Sequence, residues 1–268
     1  MTTIDTTRPA VSHYLGLSGA HLVPTTASLL TQRHLAVAVE ARAMLCIHGD
    51  VGLGKTLAVN ITLWDLAPHT TLWLECRKGA PLTTLCTALF RVLGLPGEPP
   101  DKVDDCTPLF EEALADQHRV LVCDEAQGLS KQSLDYLRML WDSEAVRPTI
   151  VFVGGENCLQ RIRSRPALFS RILLFQQYQP LTPDEVLARL PKYHALWENV
   201  PAPDLLWVND LVCHGNFRNW AKVTFHLQHA LEHDKPAPPW FSRDTVRMIL
   251  SYLDTSVRSQ SSTAPGYL

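Results

Sequence analysis

One eight-residue segment combines glycines, a lysine and a threonine at a spacing that suits phosphate binding. Backbone N–H groups of such a glycine-rich turn can surround phosphate oxygens, and the N-terminus of a following helix favours negative charge. The lysine can reach the outer phosphates of ATP, and the threonine hydroxyl can hold Mg²⁺. The segment therefore predicts a site for ATP and Mg²⁺. It consists of Gly49, Asp50, Val51, Gly52, Leu53, Gly54, Lys55 and Thr56.

Two adjacent acids follow an apolar run farther along the chain. Residues 120–123 have the composition of a buried strand, and Asp124 and Glu125 come directly after them. Ligands of open α/β sheets bind at the carboxyl ends of the strands, so both acids are expected at the phosphate-binding edge. We expect Asp124 to hold Mg²⁺ through water, and Glu125 to orient and deprotonate the attacking water. With Lys55, these acids predict ATP hydrolysis.

The elements that must position these residues are strands alternating with helices. This alternation predicts an α/β fold with a parallel five-stranded sheet flanked by helices. Helical spacing of apolar residues covers 30–42, 82–93 and 130–141. The predicted strands are residues 44–48, 71–76, 120–124, 149–153 and 172–175.

After residue 180 the pattern is helical only, which predicts a small C-terminal helical lid. Thr182 and Glu185 form the signature of a capping box, and Pro183 suits the first helical turn. Further helices are predicted at 204–213, 217–233 and 242–253. The expected organisation is a lead-in over 1–30, a nucleotide-binding domain over 31–180, a lid over 181–255 and a flexible tail over 256–268.

Composition restricts the class of protein. The 268 residues are 46% hydrophobic, which is enough for a sizeable core. No apolar run could span a bilayer, and no secretory signal is present, so we expect no membrane contact. The seven cysteines are scattered without a C-x-x-C pair, which favours a reducing, cytoplasmic location. The net charge of −3 argues against a generally basic nucleic-acid-binding protein, so DNA binding would have to depend on particular residues.

The phosphate-binding segment and the acidic pair resemble those of the AAA+ ATPases, over roughly residues 20–235. The resemblance implies the strand order 5-1-4-3-2 with a helical lid. It also implies a polar residue, called sensor 1, after the fourth strand. Related ATPases often have Thr where Gly155 stands, and Asn157 is the substitute that this sequence offers. The identity of sensor 1 is therefore left open.

The same resemblance implies two arginines that contact the nucleotide. An arginine finger, which acts on the nucleotide of a neighbouring subunit, is expected just before the fifth strand, where Arg171 stands. Arg163 and Arg165 are alternatives close by. A sensor 2 arginine is expected early in a lid helix, and Arg218 matches that position. A positive charge there is unfavourable for the helix dipole, and a phosphate would compensate it.

Among AAA+ proteins, the chain is similar in style to the transposon regulator ATPases of the TniB, TnsC and MuB kind. The fragments that carry this likeness are L-L-T-Q-R-H, D-E-A-Q, F-V-G-G and G-N-x-R. The resemblance implies an ATP-bound homo-oligomer, a filament or a ring, on duplex DNA. It implies that the oligomer recruits or activates a DDE transposase, either alone or together with a targeting factor. Hydrolysis would then disassemble it.

DNA contact on this interpretation requires cations on two loops. Arg77 and Lys78 follow the second strand, and Lys131 begins the helix after the acidic pair. The resemblance implies backbone contacts without a base code, and ordinary solvated side chains are the alternative for each residue. A second functional hypothesis is a AAA+ loader or chaperone that remodels a protein partner without binding DNA. The acidic isoelectric point, about 6.4, favours that alternative mildly.

Overall fold

The computed structural model describes residues 16–234 and 241–253. The predicted tail over 256–268 and the first half of the predicted lead-in lie outside these residues. Contacts divide the described chain into two compact units. The first contains residues 26–179, and the second contains residues 16–25 together with the described residues from 180 onward.

The first unit is built on a parallel sheet of five strands. Their order is β2-β3-β4-β1-β5, which is the predicted 5-1-4-3-2 order read from the other edge. All five predicted strands are confirmed, and their ends shift by no more than two residues. They are β1 (Met44–His48), β2 (Thr71–Glu75), β3 (Val120–Asp124), β4 (Thr149–Gly154) and β5 (Ile172–Gln177).

Seven α-helices of the first unit flank the sheet. The first begins at Thr26, four residues before its predicted start, so the end of the predicted lead-in is helical. The fourth, sixth and seventh have no counterpart in the sequence prediction, and the fourth contains Pro108, a residue type that normally breaks helices. The helices are α1 (Thr26–Glu40), α2 (Lys55–Leu66), α3 (Leu82–Val92), α4 (Val103–Ala115), α5 (Lys131–Asp142), α6 (Asn157–Arg163) and α7 (Pro166–Phe169).

The three central strands are buried on both faces, which explains their continuous apolar sequences. Alternate residues of each strand enter different cores. Cys46, Cys123 and Phe152 pack into one core with residues of α3, α4 and α5. Ile47 and Val153 pack into the other with residues of α1 and α2. Burial on both faces holds the carboxyl ends of β1, β3 and β4 in register, and the functional segments begin at those ends.

All seven cysteines are unbridged and buried. Burial raises the pKa of Cys86 to about 12, and it also holds the pKa of Cys213 well above its usual range. Cys46 and Cys123 lie in strands, and hydrogen bonds with neighbouring thiols together with burial raise the pKa of both. These four thiols are therefore core residues with little thiolate character at neutral pH.

The second unit is helical, as predicted. The capping box is present: Thr182 Oγ1 accepts from the backbone N–H of Glu185, and the Glu185 carboxylate accepts from that of Thr182. The helix predicted over 204–213 is an α-helix that continues as a short π-helix. The elements are α8 (Pro183–Tyr193), α9 (Ala202–Val208), the π-helix (Asn209–Cys213), α10 (Phe217–Asp234) and α11 (Arg243–Leu253).

Two tryptophans form the centre of the second unit. Trp197 and Trp220 are fully buried and meet edge to face, with ring centroids 5.1 Å apart. The Trp197 indole N–H donates to Thr224 Oγ1 at 2.9 Å, so its polar atom is satisfied. Residues 16–25, predicted as lead-in, join this unit, where His194 Nε2 lies 3.0 Å from the Ser18 carbonyl oxygen. Over the described part of the chain, no helix is long and apolar enough to cross a membrane.

Candidate nucleotide-binding site

The predicted phosphate-binding segment forms the turn between β1 and α2. Gly49, Gly52 and Gly54 have φ angles of +138°, +88° and +91°, which glycine adopts without steric cost. A Cβ atom at Gly49 would lie 2.6 Å from the Tyr178 carbonyl oxygen, so only glycine allows the end of β5 to approach. Val51 is exposed, whereas the buried Leu53 anchors the turn in the core. The glycines thus define a tight turn whose backbone N–H groups could surround phosphate oxygens.

Lys55 is the first residue of α2, and its side chain is held inside the turn. Its Nζ donates to the carbonyl oxygens of Gly49 and Asp50 at 2.8 and 2.7 Å, and the residue is only 8% exposed. This places a buried positive charge at a helix N-terminus, where the helix dipole already favours an anion. Both features suit a phosphate group.

A hydroxyl and a carboxylate meet beside the turn. Thr56, the second residue of α2, donates through Oγ1 to Asp124 Oδ1 at 3.2 Å. Asp124 is the last residue of β3, and the same oxygen accepts from the Glu125 N–H at 2.9 Å. Hydroxyl and carboxylate oxygens are ligands that Mg²⁺ prefers. The residues present therefore fit a Mg²⁺ ion carried by a nucleotide.

Burial controls the acidity of this carboxylate. Desolvation raises the pKa of Asp124, and the hydrogen bonds from Glu125 and Thr56 offset only part of the increase. A half-buried carboxylate with a raised pKa has lost part of the hydration of its charged form, and a cation can replace that hydration. The electrostatics of Asp124 and the oxygen donors around it thus support the same ligand.

Glu125 adopts an uncommon backbone conformation. Its φ angle is +53°, and its carbonyl oxygen accepts from the Gly128 N–H at 2.7 Å in a short 3₁₀ turn over Ala126–Gly128. A left-handed conformation in a residue other than glycine costs roughly 1–3 kcal/mol and occurs often at functional sites. The turn directs the chain away from β3 and leaves the carboxylate exposed at the edge of the sheet.

Gln127 belongs to the site, although sequence reasoning gave it no role. Its Nε2 donates to Glu125 Oε2, and its Oε1 accepts from the Gly155 N–H at 2.9 Å. The side-chain amide thus connects the turn after β3 to the end of β4. Two sequence fragments carry the relevant residues. One is a glutamine two residues after Glu125, and the other is a Gly-Gly pair at the end of the next strand. Neither fragment reveals that the two meet.

The residues predicted as sensor 1 lie at the end of β4. Gly155 contributes its backbone N–H to Gln127, and Asn157 is an exposed residue at the start of α6. Glu156 stands between them, and a hydrogen bond with Asp50 raises its pKa. The assignment of Asn157 to the nucleotide remains a prediction.

The three candidates for the arginine finger differ in their partners. Arg165 Nε donates to Asp135 Oδ1 at 2.8 Å, and Arg171 Nε donates to Asp142 Oδ1 at 2.5 Å. Both aspartates are on α5, so these arginines tie the segment before β5 to that helix. The Arg163 guanidinium lies 5.8 Å from the centre of a phenylalanine ring, and no carboxylate among the described residues forms an ion pair with it.

Arg218, predicted as sensor 2, lies in the first turn of α10 in the second unit. Its backbone N–H donates to Asn216 Oδ1 at 3.0 Å, so Asn216 caps the helix. Gly215, just before, has a φ of +70°, and its N–H donates to Asn209 Oδ1 at 2.8 Å. The helix start is therefore well defined, and the contact of Arg218 with nucleotide remains a prediction.

Of the three cations predicted to contact DNA, two lie on the loop after β2, and the third begins α5, directly after the loop that follows β3. The Gly79 N–H donates to the Gly128 carbonyl oxygen at 3.3 Å, and a Cβ atom at Gly128 would lie 2.5 Å from the Cys76 carbonyl oxygen. Only glycine permits this approach. The loop after β2 and the loop between β3 and α5 are therefore neighbours at the carboxyl edge of the sheet. The cations, all exposed, are Arg77, Lys78 and Lys131.

A buried histidine precedes the phosphate-binding turn. His48 is the last residue of β1, and its carbonyl oxygen accepts from the Tyr178 N–H at 2.7 Å. Burial lowers the pKa of His48, and the positive charges of Arg163 and Lys55 lower it further. The imidazole is therefore neutral at physiological pH, and its protonation would oppose the folded conformation of the strand end.

Comparison with protein families finds a match over the part of the chain that contains this site. A family model described as an AAA domain matches residues 39–162, from the end of α1 to α6. The match contains the phosphate-binding turn, the acidic pair and Gln127. Together with the strand order, it shows that the first unit has the P-loop fold of AAA+ nucleoside triphosphatases. The comparison with curated protein sequences found no match.

Solved structures share the fold at low sequence identity. Cdc6p of Pyrobaculum aerophilum has a TM-score of 0.65 at 16% identity, covering 80% of this chain and 65% of that one. Drosophila ORC bound to DNA has a TM-score of 0.67 at 14% identity, covering 91% and 66%. The RuvB Holliday junction branch migration motor of Thermotoga maritima has a TM-score of 0.56 at 17% identity, covering 84% and 69%. The chain spans about two-thirds of the length of these structures.

Proposed function

We propose that the protein is an ATP-dependent, DNA-binding AAA+ regulator of transposition. On this proposal it forms a homo-oligomer on duplex DNA and recruits or activates a DDE transposase there. The observation that carries the proposal is that the candidate phosphate and Mg²⁺ ligands share one sheet edge with exposed cations. Thr56 meets Asp124 there, and the loop that carries Arg77 adjoins the loop that leads to Lys131.

ATP hydrolysis follows from the roles that the site supports. The turn and Lys55 would bind the phosphates. Thr56, and Asp124 through water, would hold Mg²⁺, which would supply positive charge to the phosphate oxygens. Glu125 orients a water and accepts its proton. These assignments use side chains that the fold has already brought together, so substrate binding requires little further ordering of them.

An arginine finger would mean that the complete active site forms only at a junction between two subunits. Arg171 keeps that assignment, although it is paired with Asp142 in the single chain. The pair is partly exposed, and surface ion pairs contribute only about 0–1 kcal/mol. A triphosphate of a neighbouring subunit offers more negative charge than one carboxylate, so Arg171 can exchange partners on assembly. Disassembly after hydrolysis follows from loss of that charge.

DNA binding is supported by the three cations and by the nature of two structural neighbours. Drosophila ORC was solved bound to DNA, and RuvB is a branch migration motor of Holliday junctions. Exposed cations on a loop and at a helix start suit contacts to phosphates independent of sequence. The proposal of a transposase partner, and of any targeting factor, is based on the likeness of short sequence fragments to the transposon regulators.

The experiment that tests this function is fluorescence anisotropy of a labelled random-sequence duplex. The protein is titrated with Mg²⁺ and either a non-hydrolysable ATP analogue or ADP. We expect cooperative, salt-sensitive binding with the analogue only. Glu125→Gln should retain DNA binding with ATP itself and lose hydrolysis by about 100-fold or more. Lys55→Ala is the control that should bind DNA in neither state, and wild-type protein that binds no DNA with the analogue would contradict the proposal.

A second candidate function is a AAA+ ATPase that remodels a protein partner, as a loader or chaperone does. The observation that favours it is the net charge of −3 on the whole chain, which opposes association with DNA. ATP hydrolysis that duplex DNA does not stimulate, together with no anisotropy change, would support this candidate. Hydrolysis stimulated by DNA would exclude it in the form without DNA contact.

A further inference from the structure

The amide of Gln127 bridges two elements at the edge of the sheet where the nucleotide is proposed to bind. One end donates to the Glu125 carboxylate, and the other accepts from the Gly155 N–H at 2.9 Å. Each amide atom has the partner its chemistry requires, which fixes the orientation of the amide. Gln127 therefore holds Oε2 of the Glu125 carboxylate and makes no hydrogen bond to the other oxygen, Oε1.

The backbone that carries Gln127 is itself immobilised. The Gly128 N–H donates to the Glu125 carbonyl oxygen, and the Leu129 N–H donates to that of Ala126 at 3.1 Å. Gly128 also packs directly against the carbonyl oxygen of Cys76. Hydrogen bonds thus hold both the backbone next to Gln127 and its side-chain amide. A side chain that orients a catalytic group needs to be fixed in this way.

The end of β4 provides the space that the amide fills. A Cβ atom at Gly154 would collide with Gln127 Oε1 and would lie 2.7 Å from the Cys158 Cβ. A Cβ atom at Gly155 would lie 3.7 Å from Gln127 Nε2, in ordinary contact. Two successive glycines leave this place free of side chains, and a polar side chain from the turn after β3 occupies it.

We propose that Gln127 is the positioning residue of the catalytic carboxylate. On this assignment Gln127 replaces a polar side chain at the end of β4, and it acts through Glu125. A neutral amide suits this role because it donates a hydrogen bond to the carboxylate without supplying a charge that would lower its basicity. The link to the Gly155 N–H makes the position of Glu125 depend on the end of β4. This inference rests on the proposed ATP hydrolysis and deepens it.

The test combines a deletion with a transfer of the polar group. Gln127→Ala removes the bridge, and we expect kcat to fall about 10- to 100-fold, the usual effect of losing an orienting partner. Gly155→Thr should lower kcat slightly, because its side chain competes with the amide for the same space. The double variant should recover part of the loss, since threonine then offers a hydroxyl where the amide was. Gly155 has no positive φ that would exclude threonine.

A binding measurement separates positioning from a merely structural role. Calorimetry with Mg²⁺ should show ADP affinity within about twofold of wild type for Gln127→Ala. Affinity for ADP with aluminium fluoride, which mimics the transferring phosphoryl group, should fall by a factor close to that in kcat/KM. Equal losses for both ligands, or a lowered melting temperature that accounts for the lost activity, would overturn the assignment.

The proposed function and this inference fail in different ways. If the wild type hydrolyses ATP and Glu125→Gln does not, but Gln127→Ala retains wild-type kcat, only the role of Gln127 is overturned. If the wild type binds no nucleotide and hydrolyses none, the proposed function is overturned and the inference with it. A loss in Gln127→Ala with partial recovery in the double variant supports the role of Gln127 and the ATP hydrolysis on which it rests.

Discussion

Thr56 Oγ1 donates a hydrogen bond to Asp124 Oδ1 at 3.2 Å, although 68 residues separate the two in sequence. The first stands at the start of a helix and the second at the end of a strand that is not the helix's neighbour in the chain. Their contact depends on the position of β3 beside β4, which in turn pairs with β1. The pairing of β3 with β4 and of β4 with β1 therefore brings the two oxygen donors for the proposed Mg²⁺ together.

Removing the charge of Asp124 should stabilise the ligand-free protein. Its pKa is raised in the folded state, which means that folding favours the protonated carboxyl. The stability that this group contributes is therefore present at low pH and is lost as the pH rises through the folded-state pKa. Asp124→Asn keeps the acceptor oxygen and should raise the melting temperature at pH 7.5 while abolishing Mg²⁺-dependent hydrolysis. The difference should disappear below about pH 4. Asp65→Asn, at an exposed position, is the control. A lower melting temperature for Asp124→Asn at pH 7.5 would contradict this account.

His48 should make the fold sensitive to acid. Its folded-state pKa is lowered by burial, so its contribution to stability is present above about pH 6.5 and is lost as pH falls through the folded pKa. Denaturant titrations between pH 5 and 8 should show a smaller loss of stability for His48→Asn than for wild type. His69→Asn, at an exposed site before β2, should follow the wild-type curve. Identical pH dependence in all three proteins would show that His48 does not titrate in this way.

Alanine substitutions of the three arginines near α7 should have different effects on the rate of ATP hydrolysis. Arg171→Ala should abolish turnover that depends on assembly, because no subunit then supplies the finger, and effects of about 10³-fold are typical. Arg163→Ala and Arg165→Ala should hydrolyse ATP at nearly the wild-type rate. Mixing Arg171→Ala with Glu125→Gln should restore part of the activity, since some junctions then combine an intact finger with an intact base. Loss of turnover in Arg163→Ala alone would transfer the finger to that residue.

The loop cations should determine the salt dependence of DNA binding. Each of Arg77, Lys78 and Lys131 that contacts a phosphate contributes about 0.9 to the slope of log affinity against log salt. Single alanine variants should therefore lower the slope by about that amount and weaken binding equally for all sequences. Arg33→Ala, an exposed change on α1, is the matched control. An unchanged slope in all three variants would place the DNA elsewhere.

Much of the fold was predictable because its signals are local. The apolar strands, the glycine-rich turn with Lys55, and the capping box at Thr182 each lie within a few successive residues. The helix around Pro108 was missed because tertiary packing overrode a local signal against helix. The bridge from Gln127 to Gly155 was missed for a different reason. It joins residues 28 positions apart, and periodicity within one segment carries no information on such a contact.

The seven buried thiols also have a practical consequence for following this protein at work. Alkylating dyes react with exposed thiolates, so the native protein should remain almost unlabelled at neutral pH. A single cysteine introduced at an exposed loop position, such as Lys78, would then be the one reactive handle. The native chain can therefore serve as its own background for distance measurements by fluorescence, without prior removal of any natural cysteine.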